Sequence, residues 1–74
     1  METPPSNAPF HRLLRGDATA AQHLGVDARR AALRYWATGN TRMARVCEVR
    51  RLADQRERDG ADPAMVALVR AEWP

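Results

Sequence analysis

The chain has a single cysteine, Cys47, and no lysine, and aromatic residues make up only 5% of it. A lone cysteine excludes an internal disulfide. His11 and His23 are the only histidines, so a four-ligand zinc site is not expected either. The four glycines are isolated from one another, and we find no nucleophile elbow, phosphate loop or metal-spaced cluster. We therefore expect no metal, no cofactor and no catalytic site, and the protein is not predicted to be an enzyme.

Long hydrophobic runs are also missing from the sequence. No apolar stretch approaches the roughly 20 residues that cross a bilayer, and no signal peptide is recognisable. A free cysteine without a targeting segment is typical of proteins in a reducing compartment. The sequence therefore predicts a cytoplasmic protein that does not insert into a membrane.

A length of 74 residues allows one domain. A chain of this size buries only about 60% of its unfolded surface, and small folds often add a metal, a disulfide or a partner chain. With a metal and a disulfide excluded, we expect a homodimer or a complex. Residues 1–8 carry two prolines and no hydrophobic periodicity, which predicts a disordered tail before a single helical domain over residues 9–74.

The charge of the chain is uneven along its length. Twelve arginines and nine acidic residues give a net charge of +3, but seven arginines stand against two acids within residues 27–51, a net charge of +5 there. The remaining stretches, 1–26 and 52–74, are neutral and acidic respectively. A basic block of this kind is a candidate footprint for nucleic acid, and the alternative is a solvated helix face.

The fold class predicted for residues 9–74 is all-α, a small bundle of about five short helices, because no segment alternates as a strand would. Predicted N-caps are Asn7, Asp17, Asp27, Thr41 and Asp62, the last followed by Pro63. Predicted breaks are Gly16, Gly25 in a left-handed conformation, Gly39 and Asp59-Gly60. Predicted inward residues are Phe10, Leu13 and Leu14, then Met43, Val46, Val49 and Ala53, and finally Met65, Leu68, Val69 and Trp73. We also expect Tyr35, Trp36 and Cys47 among apolar neighbours.

Residues 19–39 follow the pattern of a helix-turn-helix. Ala20 and Ala21 are small enough for a neighbouring helix to approach closely, and Leu24 fits the angle between two helices. Gly25 supplies a sharp turn, and Val26 is expected to pack back into the corner before the next helix begins.

The helix predicted over residues 27–38 has two faces when it is projected at 100° per residue. The apolar face holds Ala28, Ala32, Leu33, Tyr35 and Trp36, and the outer face holds Asp27, Arg30, Ala31, Arg34, Ala37 and Thr38. Arg30 and Arg34 lie four residues apart on the outer face, among small side chains that would let the helix approach base edges. This arrangement is the one that a recognition helix needs.

Two segments carry a resemblance to a known group of regulators. Ala21-Gln-His-Leu-Gly-Val resembles the first helix and turn of Cro and repressor-type helix-turn-helix regulators. The segment Leu33-Arg-Tyr-Trp-Ala-Thr-Gly resembles the end of their recognition helix, and it is also similar to MerR-type regulators. The chain departs from the pattern by about two extra residues between Gly25-Val26 and the aromatic pair. No β-wing is recognisable, so the resemblance favours the wingless relatives, which are often phage- or mobile-element-borne and bind an operator as dimers.

The first functional hypothesis is therefore a small transcriptional regulator, most simply a repressor, that binds double-stranded DNA as a homodimer. Predicted base contacts are Asp27, Arg30, Ala31, Arg34 and Thr38, and predicted phosphate contacts are Arg29, Arg42 and Arg45. The predicted dimer or partner surface is Met65, Leu68, Val69 and Trp73.

The second hypothesis is a small helical protein-binding module, such as an antitoxin, an anti-activator or a phage-encoded inhibitor of a host protein. It accounts equally well for the acidic last third of the chain and for Trp73. The two hypotheses differ in where the arginines lie. Arginines that project from one continuous face favour DNA, and arginines that are dispersed or paired with acids favour a protein partner.

Overall fold

A computed structural model of the chain describes residues 7–39 and 45–74. The described residues form four α-helices and one 3₁₀ helix and contain no strand, which confirms the predicted all-α class. The helices are α1 (Asn7–Leu14), the 3₁₀ helix (Ala18–His23), α2 (Val26–Thr38), α3 (Val46–Arg58) and α4 (Pro63–Glu72). The first helix thus includes Asn7 and Ala8, two residues that the sequence assigned to the tail.

The corner between α1 and the 3₁₀ helix is built on Gly16 and Asp17. Gly16 has φ of +100°, a conformation that glycine adopts at no steric cost, and it ends α1 as predicted. Asp17 is the predicted N-cap, and its Oδ1 accepts hydrogen bonds from the backbone N–H (3.1 Å) and the hydroxyl (2.6 Å) of Thr19. The guanidinium of Arg12 lies 2.9 Å from the other carboxylate oxygen. These bonds lower the pKa of Asp17, the side-chain bond from Thr19 most and that from Arg12 next.

The second helix is a 3₁₀ helix, whereas the sequence predicted an α-helix over residues 18–24. Its six residues end where Leu24 turns to extended backbone, with φ of −119° and ψ of 146°. Short helical segments between two fixed ends commonly adopt the tighter i→i+3 bonding. Ala20 and Ala21 are buried in it, as their small size predicted, and Leu24 packs against the core.

The turn into α2 differs from the prediction. Gly25 has φ of −72° and ψ of 172°, so it is extended and not left-handed, and it occupies the N-cap position of α2. Asp27 therefore lies within the first turn of α2, where its negative charge favours the helix N-terminus, and is not the cap. Val26 is 57% exposed and does not pack into the corner.

The buried face of α2 is rotated relative to the predicted one. Ala32, Leu33 and Ala37 are fully or almost fully buried, because α1, α3 and α4 all contact this helix. The placement of Ala37 on the outer face was therefore wrong. Tyr35 is 45% exposed, contrary to prediction, whereas Trp36 packs partly buried against the core, as expected.

Helix α2 ends at its C-cap, Gly39. This residue has φ of +75° and donates its N–H to the carbonyl oxygen of Tyr35 at 2.7 Å. This left-handed cap is the predicted stop signal. The predicted cap Thr41 and the predicted inward residue Met43 lie outside the described residues.

In α3, Val49 and Ala53 are fully buried, as the spacing predicted. Val46 is 51% exposed and Cys47 is exposed, so both predictions of apolar surroundings were wrong. Val46 stands at the first position of α3, and Cys47 lies on the side of the helix opposite the buried Val49 and Ala53. At this N-terminus, Glu48 accepts a hydrogen bond from the backbone N–H of Arg45 at 2.8 Å.

Helix α4 begins as predicted, with Asp62 accepting the N–H of Ala64 at 3.0 Å and Pro63 in the first turn. Met65, Val69 and Trp73 are then buried within the protein itself, Trp73 to 3% exposure, and Leu68 is partly buried. Met65, Val69 and Trp73 thus complete the core, and their assignment to a dimer or partner surface was wrong. The indole of Trp73 reaches the core because the last turn of α4 lies against α2.

The contrast between two valines of α3 gives the first prediction. Val49→Ala, at a fully buried position, should lower the free energy of unfolding by about 2 kcal/mol, because a buried valine contributes about that much. Val46→Ala, three residues earlier and half exposed, should change it by less than about 0.5 kcal/mol. Urea denaturation followed by circular dichroism measures both values, and equal losses would contradict the described burial.

The second prediction concerns the Asp17 cap. Thr19→Val keeps the side-chain shape but removes the hydroxyl that bonds to Asp17, so the pKa of Asp17 should rise towards its ordinary value of 3.8. A carboxylate with a lowered pKa stabilises the folded state above its unfolded pKa, and this stabilisation is lost as pH falls through the folded pKa. Carboxyl titration by NMR measures the change. Arg12→Gln is the comparison, with a smaller rise expected, and an unchanged value in Thr19→Val would refute the assigned cause.

Candidate nucleic-acid interface

The arginines of α2 do not project freely from the helix. The guanidinium of Arg29 lies against the carboxylate of Glu72, with its Nε 2.9 Å and its Nη2 2.8 Å from Oε2. The Nε of Arg30 is 3.4 Å from Oε1 of the same carboxylate. Two neighbouring arginines of α2 therefore bind one acidic residue at the end of α4. The sequence placed Arg30 on an outer face that is free to approach DNA, and the structure shows it in contact with α4 instead.

Trp73 holds the second pair of arginines. The guanidinium carbons of Arg30 and Arg34 lie 5.3 Å and 5.7 Å from the centroid of the Trp73 ring, within the range of a cation–π contact. Because Trp73 is buried, the two side chains lie along the junction of α2 and α4 and are themselves half-buried.

The other predicted base contacts of α2 are spread around the helix. Asp27 is exposed in the first turn, and Ala31 is half-buried. The hydroxyl of Thr38 donates to the backbone carbonyl of Arg34 at 2.8 Å, which is the usual bond of a threonine within a helix. The structure thus brings Arg29, Arg30 and Arg34 together, but around Glu72 and Trp73.

A second group of arginines is exposed on α3. The outward side of this helix, opposite the buried Val49 and Ala53, presents four exposed side chains, Cys47, Arg51, Gln55 and Arg58, which we call the α3 outer face. Arg50 is exposed beside them, and Arg45 is exposed at the start of the helix. The predicted phosphate contact Arg42 lies outside the described residues.

Arg70 of α4 binds two of the acids near the α3 outer face. It lies 2.8 Å from the carboxylate of Glu57 and 2.7 Å from that of Asp54, and these two bonds raise the pKa of Arg70. Within residues 7–39 and 45–74, no ion pair involves Arg50, Arg51 or Arg58. These three arginines are therefore exposed and have no acidic partner in that part of the chain.

The sequence does not single out the α3 outer face, because Asp54 stands at i,i+4 spacing from both Arg50 and Arg58 and is therefore their expected ion-pair partner. The structure shows Asp54 bound to Arg70 instead. A helical projection of the sequence identifies this face. On the side away from Val49 and Ala53, intervals of four, four and three residues separate Cys47, Arg51, Gln55 and Arg58.

One shallow groove adjoins the paired arginines. It has a volume of about 440 Å³ and lies between the 3₁₀ helix and α4. Its lining is Ala18, Thr19, Ala21, Gln22, Arg29, Leu68, Ala71 and Glu72. The described residues contain no group of three or more histidine, cysteine or acidic side chains placed to hold a metal ion. In the same part of the chain, no helix has the length and apolar character that a bilayer-spanning segment needs.

Comparison with known proteins gives no match, since no protein-family model, no curated protein and no solved structure is significantly similar to the chain. The functional reading therefore rests on the geometry.

The third prediction tests the exposure of the α3 outer face. Cys47 should react with one equivalent of a thiol reagent in the native protein, at a rate close to that in denaturant, because its side chain is exposed. The matched control moves the thiol: in Cys47→Ser/Val49→Cys, the cysteine occupies a fully buried position and should react only on unfolding. Absorbance on thiol modification reports both rates, and a protected Cys47 would show that this face is covered.

Proposed function

We propose that the protein binds double-stranded DNA and regulates transcription, with the α3 outer face as the principal contact. The observation that supports this proposal is the set of exposed arginines on α3, which have no acidic partner among the described residues. Arginine stays charged and makes forked contacts to phosphate oxygens and to guanine, and a single α-helix fits the major groove.

The spacing of the α3 outer face suits a duplex. Arg51 and Arg58 are seven residues apart, which corresponds to about 10 Å along a helix axis. This distance equals the axial rise of about three base pairs of a duplex, at 3.4 Å per phosphate of one strand along the DNA axis. Gln55, between them, can pair with adenine, and Arg45 at the helix start remains a proposed phosphate contact.

The operator, the homodimer and the action as a repressor are proposals that rest on the resemblance to Cro and repressor-type regulators. A helix-turn-helix would here use a 3₁₀ helix followed by α2, which is a departure from two regular α-helices. We infer a non-enzymatic, cytoplasmic role. Because Met65, Val69 and Trp73 are buried, a homodimer would need another surface.

A second candidate function is that of a protein-binding module. The observation that favours it is the pairing of Arg29 and Arg30 with Glu72, because arginines that are paired with acids favour a protein partner over DNA. The groove beside this pair, with Leu68 and Ala71 in its lining, offers an apolar surface for such a partner.

The fourth prediction tests DNA binding. Wild-type protein should shift the fluorescence anisotropy of a labelled duplex taken from upstream of its own gene, and its affinity should fall with salt at a log–log slope of about −0.9 per phosphate contacted. Arg51→Ala should weaken binding by about 1 kcal/mol or more, and it should flatten the slope by about one unit if Arg51 contacts phosphate. Bound duplex should also slow the labelling of Cys47.

The control for this prediction is Arg15→Ala, which removes an exposed arginine just after α1 and so makes the same change in net charge. Equal losses in the two variants would mean that only net charge matters and would contradict the α3 assignment. Binding that is flat from low to high salt, or absent at low salt, would reject DNA and leave the protein-binding module. Sedimentation of the free protein tests the homodimer.

A further inference from the structure

Three arginines of α2 converge on one carboxylate and one indole. Arg29 and Arg30 bind the two oxygens of Glu72, and Arg30 and Arg34 lie over the ring of Trp73. The single carboxylate of Glu72 is thus paired with two guanidinium groups, those of Arg29 and Arg30. This pair of arginines keeps an excess of positive charge over Glu72, as an anion-binding site does.

The contacts with Glu72 have the geometry of an oxyanion site. One oxygen accepts a hydrogen bond from the Nε of Arg29 at 2.9 Å and lies 2.8 Å from its Nη2, and the other oxygen forms an ion pair with the Nε of Arg30 at 3.4 Å. A phosphate group presents oxygens to arginine in the same forked manner as a carboxylate does. The chemistry that these guanidinium groups recognise is therefore that of a tetrahedral phosphate as well as that of Glu72.

The site is organised independently of Glu72. Trp73 is 3% exposed and belongs to the core, so its ring stays in place when the Glu72 side chain rotates away. Arg30 would remain in contact with the ring. A site whose cations are held in position loses little conformational entropy when an anion binds.

The site is accessible from solvent. The side chains of Arg29 and Arg30 are 28% and 43% exposed, more than the 15% of Glu72. Arg29 and Glu72 also form part of the wall of the 440 Å³ groove that opens beside them. An anion can approach the arginines along this groove while Glu72 is still bound.

We propose that Arg29 and Arg30 form a phosphate-binding site that Glu72 occupies as an internal competitor, and that a phosphate of the DNA backbone displaces Glu72. The inference rests on the proposed function for the source of the phosphate, and a free phosphate ion is the other source of the same chemistry. In this arrangement Glu72 weakens DNA binding, and the arginines of α2 contact DNA only after the exchange.

The test compares two variants that remove one negative charge each. Glu72→Gln should bind the upstream duplex about 3- to 10-fold more tightly than wild type at low salt, because one or two further arginines become available to phosphate. Its log–log salt slope should be steeper by about 0.9 to 1.8, the value for one or two additional phosphates. Asp59→Asn, an exposed acid just after α3, changes the net charge equally and should leave the slope unchanged.

A third variant identifies the groups that gain the contact. In Glu72→Gln/Arg29→Ala, the affinity and the slope should return most of the way to the wild-type values. Thermal melts followed by circular dichroism show whether each variant is folded. If Glu72→Gln does not fold, the wild-type protein supplies the test, since the side-chain Nε–H NMR signal of Arg29 should shift on addition of duplex.

The outcomes separate this inference from the proposed function. Wild-type binding that depends on Arg51, together with equal affinities for Glu72→Gln and Asp59→Asn, would overturn the phosphate site and leave DNA binding intact. If no form binds duplex, the proposed function fails. Titration of Glu72→Gln with inorganic phosphate then tests the phosphate site without DNA. A saturable shift of the Nε–H NMR signal of Arg29 supports the site, and no shift overturns it.

Discussion

The contact between the end of α4 and the outer side of α2 determines how the rest of this small protein is arranged. Trp73 completes the core there, and Glu72, the residue before it, binds Arg29 and Arg30. Glu72 forms the ion pairs, and the next residue, Trp73, is buried in the core. Because the buried indole of Trp73 fixes the end of α4 against α2, the carboxylate of Glu72 is positioned next to Arg29 and Arg30.

The core itself is made largely of small side chains, which a chain of this length requires. The fully buried set includes Ala20, Ala32 and Ala53 beside the larger Leu33 and Met65. Small residues let short helices approach closely and pack densely with few large side chains. Among the described residues, the large apolar side chains that remain exposed are Val26, Tyr35 and Val46, and beyond Val46 the exposed area of α3 is mainly polar and charged.

Local signals in the sequence predicted several of the helix ends, although the predicted cap Asp27 and the left-handed Gly25 were wrong. Asp17 and Asp62 cap their helices, and Gly39 ends α2, because each of these effects depends on bonds within a few residues. The burial of Ala37 and the engagement of Arg30 could not be predicted in the same way. Periodicity indicates which residues share a face, but it does not say which distant element covers that face.

The two groups of arginines therefore stand in different electrostatic states, and under the proposed function this difference governs how the protein would act on DNA. Arg51 and Arg58 of the α3 outer face have no ion-pair partner among the described residues, while Asp54 and Glu57 are bound to Arg70. The arginines of α2 have such a competitor in Glu72.

A phosphate that replaces Glu72 exchanges one arginine–oxyanion contact for another, so the contact energy changes little. The main gain is the release of counterions from the DNA, which depends on salt. Contact through α3 would then come first at any salt concentration, and contact through α2 would be confined to low salt or to a duplex already held by α3. The exposed arginines of α3 and the paired arginines of α2 are thus expected to bind phosphate under different conditions.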